Sequence, residues 1–234
     1  MTRRDEIAAG LAAVTARVER ACRSAGRDPA EVTVVVVTKT FPATDVRLLS
    51  DLGVRHIGES RDQEAAPKAA ACADLGMTWH FVGQLQTNKA GSVARYADVV
   101  HSVDRVRLVD ALDRAAWSAG REVRCLVQVA VGDRSQSGAG RGGVSAADVP
   151  ALADHISAAR SLRLAGVMGV APLGGDPDDA FTHLARIAET VQSRHAAATW
   201  VSAGMSGDLE AAVAHGATHL RVGTAILGAR PPAG

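Results

Sequence analysis

Short apolar runs alternate along the chain with longer segments in which apolar residues recur at helical spacing. A short apolar run between turn signals is typical of a buried strand, and recurrence every three or four residues is typical of an amphipathic helix. The pattern predicts a first helix near Thr2–Ala25, followed by eight strands that alternate with helices. The predicted strands are Val32–Thr38, His56–Gly58, Trp79–Gly83, Val99–Val103, Val123–Ala130, Leu164–Val170, Trp200–Ala203 and His219–Gly223. The helical segments include Thr44–Leu52, Asp104–Ala119, Ala146–Ala159, Asp178–His195 and Asp208–His215.

Alternation of strands and helices indicates parallel strands joined by right-handed crossovers. Eight such units close a (β/α)₈ TIM barrel, whereas fewer would favour an open doubly wound sheet. The second, third and fourth strands are short and weakly marked, but the count of eight favours closure. Because no linker-like stretch rich in Pro, Gly or Ser interrupts the pattern, we predict a single α/β barrel domain over residues 1–234 with an extra N-terminal helix.

Composition narrows the possible functions. The chain is 47% hydrophobic and 22% charged, with a net charge of +1, so a large core is expected and no general attraction to nucleic acid or membrane. Three widely spaced cysteines indicate reduced thiols, and no segment is typical of a signal peptide or a transmembrane span. We expect a cytoplasmic monomer without a metal site and without a nucleic-acid or membrane partner.

Lys39 is the most informative single residue, because it closes the all-apolar first strand and is one of only three lysines. Burying an ammonium is costly unless it is paired or neutralised. A desolvated lysine amine can attack a carbonyl to form a Schiff base, which a guanidinium cannot do. The alternative is a lysine that extends from the strand end into solvent. Lys68, by contrast, lies in a charged, Ala-rich stretch and is predicted to face solvent.

The last two strands end in small residues suited to binding an anion. Ser202-Ala-Gly-Met-Ser206-Gly-Asp208 follows the seventh strand, and Arg221-Val-Gly223-Thr224 closes the eighth. In TIM barrels the active site lies at the carboxyl ends of the strands, and phosphate is bound after strands seven and eight. Taken alone, the first motif could instead be a tight turn in which Ser206 or Asp208 caps a helix.

A Schiff-base lysine facing a phosphate site suggests pyridoxal 5'-phosphate (PLP) as the cofactor, since its aldehyde and phosphate need those two partners. Arg221 could then contact the nitrogen of the pyridine ring and disfavour its protonation, which would make the cofactor a weaker electron sink. Arg221 could equally form a structural ion pair at the end of the barrel.

Five motifs together carry a resemblance to a known family. They are Val-Thr-Lys39-Thr, His56-Ile-Gly-Glu-Ser-Arg-Asp-Gln63-Glu, Trp79-His-Phe-Val-Gly-Gln-Leu-Gln-Thr-Asn-Lys89, Ser202-Ala-Gly-Met-Ser206 and Arg221-Val-Gly-Thr-Ala-Ile-Leu-Gly228. In this order they resemble the pyridoxal phosphate homeostasis proteins, a family similar to the fold-type-III barrel domain of alanine racemase. The resemblance implies PLP bound as a Schiff base to Lys39, with Arg221 at the pyridine nitrogen. The remaining cofactor-binding residues that it implies are Met205, Ser206, Gly223 and Thr224.

The same resemblance implies a protein that binds PLP and delivers it to PLP-dependent apo-enzymes without catalytic turnover. Three positions depart from the family pattern: Ser60 and Arg61 replace an Asn-Tyr pair, and Gln136 stands where a lysine is common. The alternative function is that of a racemase-like enzyme acting on amino acids. Racemases of this kind need a second acid/base group, usually a tyrosine, and the only tyrosine here is Tyr96, in a predicted helix between strands. The sequence therefore favours the carrier.

Overall fold

A computed structural model describes residues 1–131, 142–172 and 174–229 of the chain and shows a closed barrel of eight parallel strands. The strands are β1 (Thr33–Val37), β2 (His56–Glu59), β3 (Thr78–Phe81), β4 (Val99–Val103), β5 (Val123–Gln128), β6 (Leu162–Met168), β7 (Trp200–Ser202) and β8 (His219–Val222). Each strand pairs with the next, and β8 pairs back with β1 in the register Val35 to Arg221. The predicted (β/α)₈ architecture and all eight predicted strands are confirmed.

Helices surround this barrel. Within the described residues they are α1 (Arg3–Ser24), α2 (Ala43–Asp51), α3 (Asp62–Ala71), α4 (Ala90–Val93), α5 (Val106–Ser118), α6 (Val149–Ser157), α7 (Pro177–Arg194), α8 (Leu209–Ala214) and α9 (Thr224–Leu227). In this part of the chain none of them is both long and apolar enough to cross a membrane.

The predicted N-terminal helix is α1, and local sequence explains where it begins. Thr2 and Asp5 form a reciprocal capping box, in which each side chain accepts a hydrogen bond from the other residue's backbone N–H. The buried stripe of the helix includes Ile7 and Val14. Gly10 faces α9 so closely that a Cβ there would lie 2.4 Å from the carbonyl oxygen of Ile226. This glycine allows α1 to pack against the last helix.

The barrel interior is divided between apolar and polar side chains. Val99, Leu126, Ala165 and Met168 form a small apolar cluster separate from the larger core under the helices. Polar side chains are also fully or almost fully buried, among them His80, His101, Ser202 and Arg221. Such groups are stable in an interior only when they are hydrogen-bonded. The hydrogen bonds of these side chains therefore determine the chemistry of the polar part of the barrel interior.

Two predictions about helical segments need correction. Tyr96 does not lie in a helix but in the turn that follows α4, because this helix has a single turn and ends at Val93. Lys68 does not face solvent, since it is only 8% exposed. It lies on the same stripe of α3 as Ala65 and Ala69, which faces the barrel. Gln136 falls outside the described residues.

Candidate functional site

A cavity of about 390 Å³ lies at the carboxyl ends of the strands. Residues that follow β1, β2, β3, β6, β7 and β8 contribute to it, as expected for the functional end of a TIM barrel. All six predicted cofactor-binding residues lie in its wall, which consists of Val37, Lys39, Phe41, Ser60, Val82, Gly83, Val170, Met205, Ser206, Gly207, Arg221, Gly223 and Thr224. Of these lining residues only Lys39 and Arg221 carry an ionisable side chain.

Lys39 is held in a tight turn directly after β1. The backbone N–H of Phe41 donates to the carbonyl oxygen of Thr38 at 3.0 Å, which closes the turn. Thr40 has a φ of 70°, a left-handed conformation that is an outlier for a β-branched residue. Its N–H donates to a carboxylate oxygen of Glu64 at 2.9 Å. Contacts on both sides of Lys39 therefore fix the backbone from which its side chain enters the cavity wall.

A buried ion pair supports this turn from beneath. Lys68 Nζ donates to Glu59 Oε1 at 2.5 Å and to the carbonyl oxygen of Thr38 at 2.8 Å. The Thr38 hydroxyl donates to the same Glu59 oxygen at 2.6 Å. Burial raises the pKa of Glu59, although the neighbouring Lys68 and Thr38 act in the opposite direction. Lys68 thus contacts the residue that precedes Lys39, a role that sequence reasoning missed.

Arg221 enters the cavity wall from β8 with its side chain almost fully buried. Its Nη1 donates to Ser202 Oγ at 2.5 Å, and its Nη2 donates to the carbonyl oxygen of Gly169 at 2.8 Å. Burial lowers the pKa of Arg221 to about 10, so the guanidinium remains positive at neutral pH. None of the ion pairs among the described residues includes Arg221, so the structural ion pair considered from sequence is not observed.

The loop after β7 is braced by the N-terminal helix. Arg17 donates to the carbonyl oxygen of Ser206 at 3.0 Å and forms an ion pair with Glu210 at 2.7 Å. The Ser206 hydroxyl accepts a hydrogen bond from the N–H of Ala225 in α9 at 3.4 Å. Met205 N–H donates to Asp208 Oδ1 at 2.6 Å, which closes the turn in front of α8. The two loops that carry the predicted phosphate ligands are therefore joined to each other and to α1.

Close backbone approach shapes the opposite wall. A Cβ on Gly83 would lie 2.1 Å from the carbonyl oxygen of Ser60, so only glycine fits between the ends of β2 and β3. Ser60 lines the cavity, whereas the Arg61 side chain is 72% exposed and pairs with Glu64. Of Ser60 and Arg61, which replace the family's Asn-Tyr pair, only the serine can contact a molecule in the cavity.

The residues present fit PLP. A primary amine and a buried guanidinium face one cavity, and hydroxyl and glycine-rich loops from β7 and β8 complete its wall. Backbone N–H groups, hydroxyls and glycines of this kind are common partners of phosphate groups. No group of three or more His, Cys, Asp or Glu side chains in the described ranges is arranged to hold a metal ion.

Comparisons with known proteins agree with this geometry. Residues 10–231 match the family model of the alanine racemase N-terminal domain. The pyridoxal phosphate homeostasis protein of Mycobacterium tuberculosis is 46% identical, over 97% of this chain and 94% of that protein. The structure of PipY from Synechococcus elongatus with PLP bound has a TM-score of 0.81 and 35% identity, over 95% of this chain and 100% of that one.

Alanine racemase from Corynebacterium glutamicum shares the fold, with a TM-score of 0.67 and 16% identity. The match covers 98% of this chain but only 62% of the racemase. Full-length similarity to the homeostasis proteins contrasts with partial similarity to the enzyme. The chain belongs to the alanine racemase N-terminal domain family and, within it, to the pyridoxal phosphate homeostasis proteins.

Proposed function

We propose that this protein binds PLP covalently through Lys39 and supplies it to PLP-dependent apo-enzymes, acting in PLP homeostasis. One observation carries the proposal: Lys39 and Arg221 face the same cavity from neighbouring strands, and the loops that carry Ser206 and Thr224 line that cavity as well. Relatives of this chain are named as PLP homeostasis proteins, and PipY holds PLP in its structure.

The six predicted cofactor-binding residues each have a role in this proposal. Lys39 would hold PLP through its amine, because the cofactor supplies an aldehyde with which a primary amine can condense with loss of water. Arg221 directs its guanidinium at the pyridine nitrogen and keeps that nitrogen unprotonated. Ser206, Gly223 and Thr224 would hold the phosphate, and Met205 would line the site beside them. The turn at Thr40 and the ion pair beneath Thr38 keep Lys39 directed at the aldehyde.

The same residues argue against turnover of amino acids. Racemisation needs two acid/base groups, one on each face of the bound substrate. Besides Lys39, the only ionisable side chain that lines the cavity is Arg221, whose pKa of about 10 suits a fixed cation. Tyr96 does not line this cavity; it lines a separate pocket between α3 and α4. We therefore propose a cytoplasmic, monomeric carrier and not a racemase-like enzyme.

Borohydride trapping tests the covalent link. Protein incubated with PLP, reduced and digested should carry the pyridoxyl adduct on the peptide that contains Lys39. Lys39→Met should abolish the adduct, and Lys89→Met, outside the cavity, should leave it unchanged. An adduct found only at Lys68 or Lys89 would contradict the proposal.

Proton exchange tests the absence of turnover. The PLP-loaded protein is incubated with L-alanine in deuterated water, and the Cα proton is followed by NMR. We expect no protein-dependent exchange and no D-alanine. Exchange that yields the D-isomer and disappears in Lys39→Met would support the racemase-like alternative. Transfer is measured separately, as activity gained by a PLP-dependent apo-enzyme when the loaded carrier is added.

A further inference from the structure

A continuous line of hydrogen bonds runs through the barrel interior and ends at Arg221. His56 Nδ1 lies 3.0 Å from His80 Nε2, and His80 Nδ1 lies 2.8 Å from His101 Nε2. His101 Nδ1 then lies 2.8 Å from Ser202 Oγ, the oxygen that accepts from Arg221. We call His56, His80 and His101 the histidine chain. Its members come from β2, β3 and β4 and cross the interior to reach β7 and β8.

Arg221 fixes the direction of every bond in this line. A guanidinium can only donate, so Ser202 Oγ accepts from it. The single hydroxyl proton of Ser202 then goes to its other partner, His101 Nδ1. His101 must therefore carry its proton on Nε2 and donate to His80 Nδ1. His80 in turn donates from Nε2 to His56 Nδ1. All three imidazoles are consequently protonated on Nε2.

The opposite direction leaves a hydrogen bond unmade. If His101 donated to Ser202, that oxygen would accept from two donors, and no described contact would receive its own proton. A buried hydroxyl without a partner is destabilising. Protonation of both nitrogens of His80 would also set its Nδ1–H against the Nε2–H of His101. Protonation of both nitrogens of His101 would set its Nδ1–H against the hydroxyl proton of Ser202. Burial and the neighbouring histidines lower the pKa of both residues, in agreement with neutral rings.

This direction has an electrostatic consequence for Arg221. The two groups that accept hydrogen bonds from its guanidinium, Ser202 Oγ and the Gly169 carbonyl, are both neutral, and the arginine is almost fully buried. Each Nε2-protonated imidazole points its electron-rich Nδ1 toward the arginine end of the line. Aligned dipoles with their negative ends toward a cation stabilise it, as the carboxyl end of a helix does. A carboxylate would do this too, but it would cancel the positive charge that faces the cavity.

We propose that His101, backed by His80 and His56, is the positioning group for Arg221. The histidine chain makes Ser202 an obligate acceptor, takes the place of a counter-ion, and leaves an uncancelled guanidinium at the cavity. This positioning role rests on the proposed function only for the identity of the bound molecule. The aromatic nitrogen of that molecule would accept from this guanidinium in its unprotonated form. The protonation pattern of the chain itself can be tested without PLP.

Two-bond ¹H–¹⁵N correlation spectra of the ligand-free, ¹⁵N-labelled protein read the protonation of each imidazole directly. Single His→Gln variants assign the signals. We expect His56, His80 and His101 to show the neutral Nε2–H pattern, and His80 and His101 to keep it from about pH 8 to about pH 6, where exposed histidines acquire charge. A neutral Nδ1–H ring or a charged ring at His80 or His101 within this range would overturn the proposal.

A matched pair of variants tests the positioning role. His101→Asn keeps an oxygen near the position of Nδ1 and can still accept from Ser202. His101→Gln keeps a nitrogen near the position of Nε2 but removes that acceptor. We expect His101→Asn to bind PLP within about three-fold of the natural protein, and His101→Gln and Ser202→Ala to lose at least about ten-fold, or about 1.4 kcal/mol.

His219→Gln is the control for ring contact alone, because His219 lies in the same interior beside the rings of His80 and His101 but hydrogen-bonds to Thr218 and not to the histidine chain. It should bind PLP like the natural protein. Equal losses in His101→Asn and His101→Gln, with both variants folded by circular dichroism, would refute the positioning role. If the natural protein itself failed to bind PLP, the proposed function would fall, while the imidazole spectra would still decide the inference.

Discussion

The two basic residues of the cavity are supported in opposite ways. Lys39 stands above a buried pair of full charges, Lys68 and Glu59, which grips the backbone of Thr38. Arg221 stands at the end of a line of neutral hydrogen-bonding groups. Removing either partner of a buried ion pair leaves an unpaired charge and lowers stability. A line of neutral groups instead requires that every donor face an acceptor. The lysine is held by its backbone and the arginine by its side chain.

Acidification should have the largest effect on stability, and it should act differently on the buried histidines of the Arg221 side and on Glu59 beneath Lys39. Burial lowers the pKa of His56, His80, His101 and His219, the last to about 4. The unfolded chain therefore binds protons below about pH 6.5 that the folded chain excludes. The stabilising contribution of these residues is complete above that pH and declines as pH falls. Each histidine that stays neutral should cost about 1.4 kcal/mol for each pH unit below 6.5.

Glu59 acts in the other direction. Its raised pKa means that the folded state takes up a proton more readily than the unfolded state. That contribution is present at low pH and is lost as pH rises through the folded pKa. Urea unfolding between about pH 7 and pH 5 should show a net loss of stability, because four histidines oppose one carboxyl group. A free energy of unfolding independent of pH in this range would contradict the neutral interior.

Breaking the buried pair should have the next largest effect. Lys68→Met leaves Glu59 buried without its cation, and we expect a loss of about 3–5 kcal/mol in the free energy of unfolding. The double variant Lys68→Met, Glu59→Gln removes both charges and should recover part of that loss. The control is Lys89→Met, because Lys89 is partly exposed. A loss below about 0.5 kcal/mol in Lys68→Met would show that the pair is not formed.

The wall between the ends of β2 and β3 should tolerate no added methyl group. Gly83→Ala places a Cβ against the backbone of Ser60, so the strand ends must separate. We expect a cost of about 1–3 kcal/mol and weaker binding of PLP. Gly91→Ala is the matched control, because a Cβ there meets no atom within 4 Å and alanine favours the helix. Similar unfolding curves for the two variants would refute this account.

The smallest effect is expected from removing the contacts of Arg17 in α1 with the loop after β7. Arg17→Met removes the bond to the Ser206 carbonyl and a half-exposed ion pair with Glu210. Stability should fall by about 0.5–1 kcal/mol, since exposed pairs contribute little. The selectivity for PLP over pyridoxal should fall with it, as measured by the two dissociation constants. Arg20→Met, on the same helix, should change neither quantity.

Much of this architecture was predictable from the sequence because it follows periodic patterns. The apolar run before Lys39 predicts β1, and the small residues around Ser206 and Gly223 predict loops at the end of the barrel. The prediction that Lys68 faces solvent is wrong because position on the helix outweighs charge here: Lys68 shares a helical stripe with Ala65, Ala69 and Cys72, and that stripe is buried.

The histidine chain could not be predicted in the same way. Its members are separated by 24 and 21 residues along the sequence, and Ser202 lies 101 residues beyond His101. Strand periodicity places His80 and His101 on strands but does not say that their rings meet inside a closed barrel. Only the register of the strands brings these side chains within hydrogen-bond distance. The same holds for Arg17, which reaches Ser206 across 189 residues.

The closure of β1 against β8 also governs when the cavity can exist. Val35 pairs with Arg221, so β1, which Lys39 follows, can pair with β8 only after almost the whole chain has been made. Contacts between distant residues form late, because the intervening loop must first be closed at an entropic cost. A nascent chain that lacks β8 has Lys39 but neither Arg221 nor the Thr224 loop. During synthesis the protein should therefore remain unable to retain PLP until its last strand has left the ribosome.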